Sequence, residues 1–81
     1  RDLDKAAEVK REYIRLFPDS DQCPALLAEI AALHRRAKEY DKAITTYRQV
    51  IDDYPDYDGC PDAQWNIASL YALSLKDREQ A

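Results

Sequence analysis

The chain has 81 residues, 12 of them basic and 16 acidic, for a net charge of −4. A domain of this size buries only about 60–65% of its unfolded surface, so one modest core is its ceiling. The acidic excess excludes the basic footprint that non-specific nucleic-acid binding needs. No apolar run approaches the roughly 18 residues of a membrane-spanning helix.

Apart from Gly59 the chain has no glycine, and Ala, Leu, Asp, Arg, Lys and Tyr are its common residues. This is helical composition, because Gly costs a helix interior about 1 kcal/mol relative to Ala. Residues 2–17 carry Ala6, Val9, Tyr13, Ile14 and Phe17 at helical spacing. FPDSDQCP, residues 17–24, interrupts them: Pro18 cannot continue a helical ladder, and Pro24 suits the first turn of a new helix. From Ala25 to Lys38, apolar residues at 26/27, 30, 33/34 and 37 mark one helical face. KEYD, residues 38–41, makes a tight turn with Asp41 as the expected N-cap. Asp41 to Tyr54 is helical through Ala43, Ile44, Tyr47, Val50 and Ile51. YPDYDGCP, residues 54–61, closes that helix, and Pro61 to Lys76 opens another, with Ile67, Leu70, Tyr71 and Ser74 facing one way. Asp77 to Ala81 reads as the start of one more helix.

The two Cys-Pro stretches belong to an internal repeat. At an offset of 37, 13 of 41 aligned pairs between residues 4 and 44 and their partners are identical, without a gap. They include Asp4-Lys5-Ala6 on Asp41-Lys42-Ala43, Arg11 on Arg48, Cys23-Pro24 on Cys60-Pro61 and Ile30-Ala31 on Ile67-Ala68. Each unit is a helix pair, read in the order second, first, second, first. Cys23 and Cys60 occupy the same place in successive units, on the order of 10 Å apart if stacked helices set the spacing. A disulfide needs Cα atoms within ~7 Å, so no disulfide is expected. The single His34 and two distant cysteines do not make a metal site. The acidic loop DDYPDYDG lacks the spacing of a calcium-binding loop, and no cofactor is expected. His34 reads as a packed ring, and no nucleophile–base pair stands at a useful interval, so no catalytic residue is assigned.

The spaced set Leu27-x2-Ile30-Ala31-x2-His34, Ala43-x3-Tyr47 and Pro55, restarting at Gln64-x2-Ile67-Ala68-x2-Tyr71, resembles the tetratricopeptide repeat, whose pattern is W-x2-L-G-x2-Y, A-x3-F, P. The resemblance implies an all-α fold of antiparallel helix pairs in a superhelical segment of about two repeats. Residues 2–17 would be the second helix of a truncated repeat, 24–54 a complete repeat, and 61–81 the first helix and start of the second helix of a further one. The chain begins at Arg1 and contains no Met, and it reads as a piece of a longer protein. The usual repeat has about 34 residues; the extra three fall in the Cys-Pro loops, as in repeats similar to those of bacterial envelope proteins. Two unpaired thiols point instead to a reducing compartment.

In this family the first helix of each unit lines a concave groove. The resemblance therefore implies a non-catalytic scaffold that presents a groove to a peptide or partner helix, with Ala28, Arg35, Trp65, Asn66 and Ser69 as contacts. Trp65 is either an anchor in that groove or is buried by a further repeat or a second copy. The carboxylate clamp of chaperone-binding members is absent: Asn66 matches one of its residues, but Ala28 and Ala32 stand where Lys and Asn are expected. Other readings are a structural or oligomerisation module that self-associates through exposed end helices, and a helical-repeat nucleic-acid binder, which the charge disfavours. No membrane partner is expected.

Overall fold

The computed structural model describes residues 2–80, with side-chain environments for residues 3–77. Four helices follow one another: α1 (Asp2–Leu16), α2 (Cys23–Arg36), α3 (Tyr40–Asp53) and α4 (Cys60–Gln80). Each packs on the next, in antiparallel hairpins. The Cα trace measures 41 × 30 × 13 Å. Packed helices lie about 8–10 Å apart, so the slab is one helix pair thick.

The core has two parts. Ala7 of α1, Leu27 and Ile30 of α2 and Val50 of α3 form one cluster. Ala31 of α2, Ala43, Ile44 and Tyr47 of α3, and Ala63 and Leu70 of α4 form the other. α3 therefore supplies both. Three members of the second cluster, Ala31, Ala43 and Ala63, are alanines, whose small side chains let helix axes come close. Burial raises the Tyr47 phenol pKa, while the nearby Arg35 charge acts the other way.

The intra-unit turn ends α2 in a Schellman motif. The Lys38 N–H donates to the Arg35 carbonyl at 3.0 Å and the Glu39 N–H to that of His34 at 2.8 Å. This places Lys38 at the left-handed position, with φ 62°, where glycine is normal. The expected N-cap, Asp41, is corrected to Glu39: α3 starts at Tyr40, and Asp41 lies inside the first turn. There its carboxylate still complements the positive end of the helix dipole. The break expected at Asp77 does not form; α4 continues to Gln80, because no Pro or Gly interrupts it.

The two joints between units are built alike. In the first, the Ser20 N–H donates to the Phe17 carbonyl and the Cys23 N–H to that of Ser20, each at 3.1 Å. In the second, Tyr57 donates to Tyr54 at 3.0 Å and Cys60 to Tyr57 at 3.1 Å. In both, the thiol reaches back across the loop: Cys23 Sγ donates to the Phe17 carbonyl at 3.1 Å and Cys60 Sγ to the Tyr54 carbonyl at 3.2 Å. Each thiol is thus a second donor to the carbonyl that already closes the turn. The next residue is Pro, which has no N–H to satisfy, and α2 starts without a side-chain cap. Gly59 meets a local need of the second joint, because a Cβ there would collide with the Tyr57 ring. In the first joint Ser20 replaces that tyrosine, and Gln22 stands in the glycine's place.

Three outcomes follow. Lys38→Gly raises stability by about 0.5–1 kcal/mol in denaturant titration, because it relieves the left-handed penalty. Gly59→Ala lowers stability by about 1–2 kcal/mol, and by less in a Tyr57→Ser background, the coupling a double-mutant cycle measures. Thiol titration finds two free groups in denaturant. In the native protein half-buried Cys60 reacts first, and fully buried Cys23 is protected until the chain unfolds.

Candidate functional site

The five residues singled out in the sequence fall on α2 and α4. Ala28 and Trp65 are offset mates, one on each of these first helices. Trp65 is 68% exposed. It stands one helical step away from the inward face of α4, where Ala63 and Leu70 are buried. Ser69 is half-buried and Ala72 exposed at the i+4 and i+7 positions from Trp65. Ala28 is half-buried against the cluster of Ala31, Ala43 and Leu70. It can offer a groove floor but no polar contact.

Arg35 and Asn66 are brought together. Arg35 Nη1 donates to Asn66 Oδ1 at 3.3 Å, a tie from α2 to α4. Asn66 Nδ2 in turn donates to the Asp62 carbonyl at 2.9 Å. The amide of Asn66 is therefore engaged on both sides, and it orients Arg35. Only one of the five guanidinium N–H groups of Arg35 is used in this bond.

His34 is a fastener. Its Nε2 lies 3.4 Å from Arg11 Nη2 and its Nδ1 3.1 Å from Glu39 Oε1. Arginine only donates, so Nε2 accepts and the Nδ1–H donates to the carboxylate. The Glu39 carboxyl is held below its usual range by that bond first and by Lys42, at 3.2 Å, second. The same clasp recurs one unit on, where Arg48 Nη2 donates to the Tyr71 hydroxyl at 2.8 Å. The offset that aligns Arg11 with Arg48 also aligns His34 with Tyr71, so this pairing was available in the sequence and was missed.

Two further surfaces emerge. A groove of about 430 Å³ between α3 and α4 is lined by Arg48, Ile51, Asp52, Gln64, Ile67, Ala68 and Tyr71. Tyr71, expected on one face with Ile67 and Leu70, is exposed here, and so is Ala68. Their offset mates differ: Ala31 is fully buried and His34 half-buried, because α3 covers that side of α2. A second cleft lies between the joints, among Pro18, Asp19, Asp21, Asp53, Tyr54 and Tyr57. Among the described residues no group of three or more His, Cys, Asp or Glu side chains is placed to hold a metal ion, and no helix is long and apolar enough to cross a membrane.

No curated protein and no solved structure gave a significant match. The family model described as tetratricopeptide repeat matches residues 29–57. The α2–α3 hairpin, from the middle of α2 through the start of the second joint, thus has both the sequence pattern and the fold of a tetratricopeptide-type repeat.

Proposed function

We propose that the chain is a non-catalytic interaction scaffold, with the α2–α4 face receiving an extended or helical peptide anchored on Trp65. Repeats of the tetratricopeptide family generally mediate protein–protein interaction. The observation that carries the reading here is the exposure of Trp65, at 68%, on the stripe it shares with Ser69 and Ala72. A large aromatic flanked by small residues leaves room for a partner side chain on either side, and tryptophan is enriched among residues that dominate interface energetics. Arg35, oriented by its bond to Asn66, the residue after Trp65, supplies a cationic group to this face. Ala28 and Ser69 would form the floor. This face suits an apolar side chain followed by a carboxylate or a backbone carbonyl.

Trp65 is the only tryptophan, so its fluorescence reports on this face alone. Peptides selected from a display library on the whole chain are expected to shift its emission to the blue. Trp65→Ala should weaken their binding at least about tenfold while leaving the melting profile within about 0.5 kcal/mol of the parent. Loss of helical signal in Trp65→Ala would assign the residue to the core and sink the reading.

A further inference from the structure

The clasps at His34 and Tyr71 hold equivalent places in the repeat but differ in chemistry. In the first, Arg11 of α1 donates to His34 Nε2 on α2, and His34 Nδ1–H donates to Glu39 in the turn before α3. One ring thus joins α1, α2 and the turn into α3. In the second, Arg48 of α3 donates to the Tyr71 hydroxyl on α4. A phenol ordinarily titrates near pH 10, so a hydroxyl oxygen accepts equally well on either side of neutrality. Imidazole is the side chain that ordinarily changes its charge between pH 5 and 8, and His34 is the only histidine in the chain.

The two bonds of His34 respond oppositely to a proton. Arginine cannot accept, so the Arg11 bond exists only while Nε2 keeps its lone pair. An imidazolium carries N–H groups at both ring positions. Its Nε2–H would then face Arg11 Nη2 across 3.4 Å, donor against donor and cation against cation. The Nδ1–H bond to Glu39 survives and becomes charge-assisted. Solvent reaches the ring. Its side chain is 14% exposed, and it lines a pocket of about 440 Å³ with Arg11 from α1 and Asp41, Lys42, Thr45 and Thr46 from α3. Among these charges Arg11 and Lys42 oppose a proton on the ring, while Asp41 and Glu39 favour it. Lys42 is drawn to Glu39, its Nζ lying 3.2 Å from Oε2. Glu39 remains an anion throughout, because His34 first and Lys42 second hold its carboxyl below the usual range.

We propose that His34 is a proton-operated latch between α1 and the α2–α3 hairpin: neutral, it ties Arg11 to α2, and protonated, it releases Arg11 and keeps only Glu39. The sign follows from which form of the ring makes the bond. The Arg11 tie is present above the titration of the ring and is lost as the pH falls through it. The Arg48–Tyr71 tie has no such dependence, so acid loosens the first joint and spares the second. No residue of the latch belongs to the Trp65 face, so its test is independent of the peptide-binding reading.

The cost of removing Arg11 tests this, measured by denaturant titration of the whole chain at pH 8 and pH 5, on either side of the ordinary imidazole range. Arg11→Ala is expected to raise the unfolding constant at least about twofold more at pH 8 than at pH 5, the lower end of the value of one hydrogen bond. Comparing one substitution at two pH values cancels its effect on helix propensity. Arg48→Ala is the internal control, and its cost should be the same at both. His34→Tyr gives the first unit the residue that the second has at this position, and circular dichroism checks that it keeps its fold. In that background the cost of Arg11→Ala should no longer change with pH. An Arg11→Ala cost that is equal at pH 8 and pH 5 overturns the proposal. So does an Arg48→Ala cost that falls as much on acidification, or a pH dependence that persists with tyrosine at position 34.

Discussion

Everything in this molecule depends on how α3 is held. A short helix pair cannot bury its own apolar faces, and stability comes from each helix covering what its neighbours leave open. α3 contributes Val50 to the cluster with Ala7, Leu27 and Ile30, and Ala43, Ile44 and Tyr47 to the cluster with Ala31, Ala63 and Leu70. The identical Ile-Ala pair shows what this seat is worth. Ile30-Ala31 is fully buried, while Ile67 is only half-buried and Ala68 is exposed. The residues are the same, and only the covering helix differs. By area alone, moving an isoleucine from exposed to buried is worth about 1.5–3 kcal/mol, so the uncovered copy leaves substantial driving force unspent.

The joints hold the units in register. Two backbone turns and a thiol–carbonyl bond, repeated with closely matching lengths, fix how one helix ends and the next begins. A thiol is a weak donor, and the carbonyl it meets already accepts from a backbone N–H, so its value lies less in that bond than in fitting a small, mildly apolar side chain into a space where Cys23 is fully buried. The joint also tolerates local exchange. Tyr57 with Gly59 and Ser20 with Gln22 are two solutions to one turn, the bulky ring being allowed only where its neighbour has no Cβ.

Much of this was legible in the sequence because it repeats. The offset of 37, the helical spacing and the Cys-Pro boundaries each report a short-range requirement, and apart from the far end of α4, which runs on past Lys76 to Gln80, the helix ends fall within a residue or two of where those signals put them. Trp65 was legible too, since one step around a helix from a packed position is enough to place it outside. What could not be read depends on partners distant in the chain or on a single dihedral angle. Nothing about Lys38 announces a left-handed residue; its conformation is imposed by the two bonds that finish α2. Asn66 and Arg35 are 31 positions apart, and only the packing of α4 against the rest reveals that the amide is a brace as well as a surface group. Tyr71 looked inward by periodicity, but periodicity reports that a residue can be covered, without saying whether a covering helix is there.

α4 shows where this leads. Its apolar and small residues go most of the way round: Ala63 and Leu70 face inward, Ile67, Ala68 and Tyr71 face the α3 flank, and Trp65 and Ala72 the opposite flank. A helix that is apolar around its circumference is one built to be buried from more than one side. The described residues bury one side of it. Successive residues point about 100° apart on a helix, so the Gln64–Ala68–Tyr71 flank and the Trp65–Ser69–Ala72 flank look in different directions. A helix seated on the first would not occlude a peptide on the second. The geometry of α4 therefore keeps the Trp65 flank open whatever lies against the other.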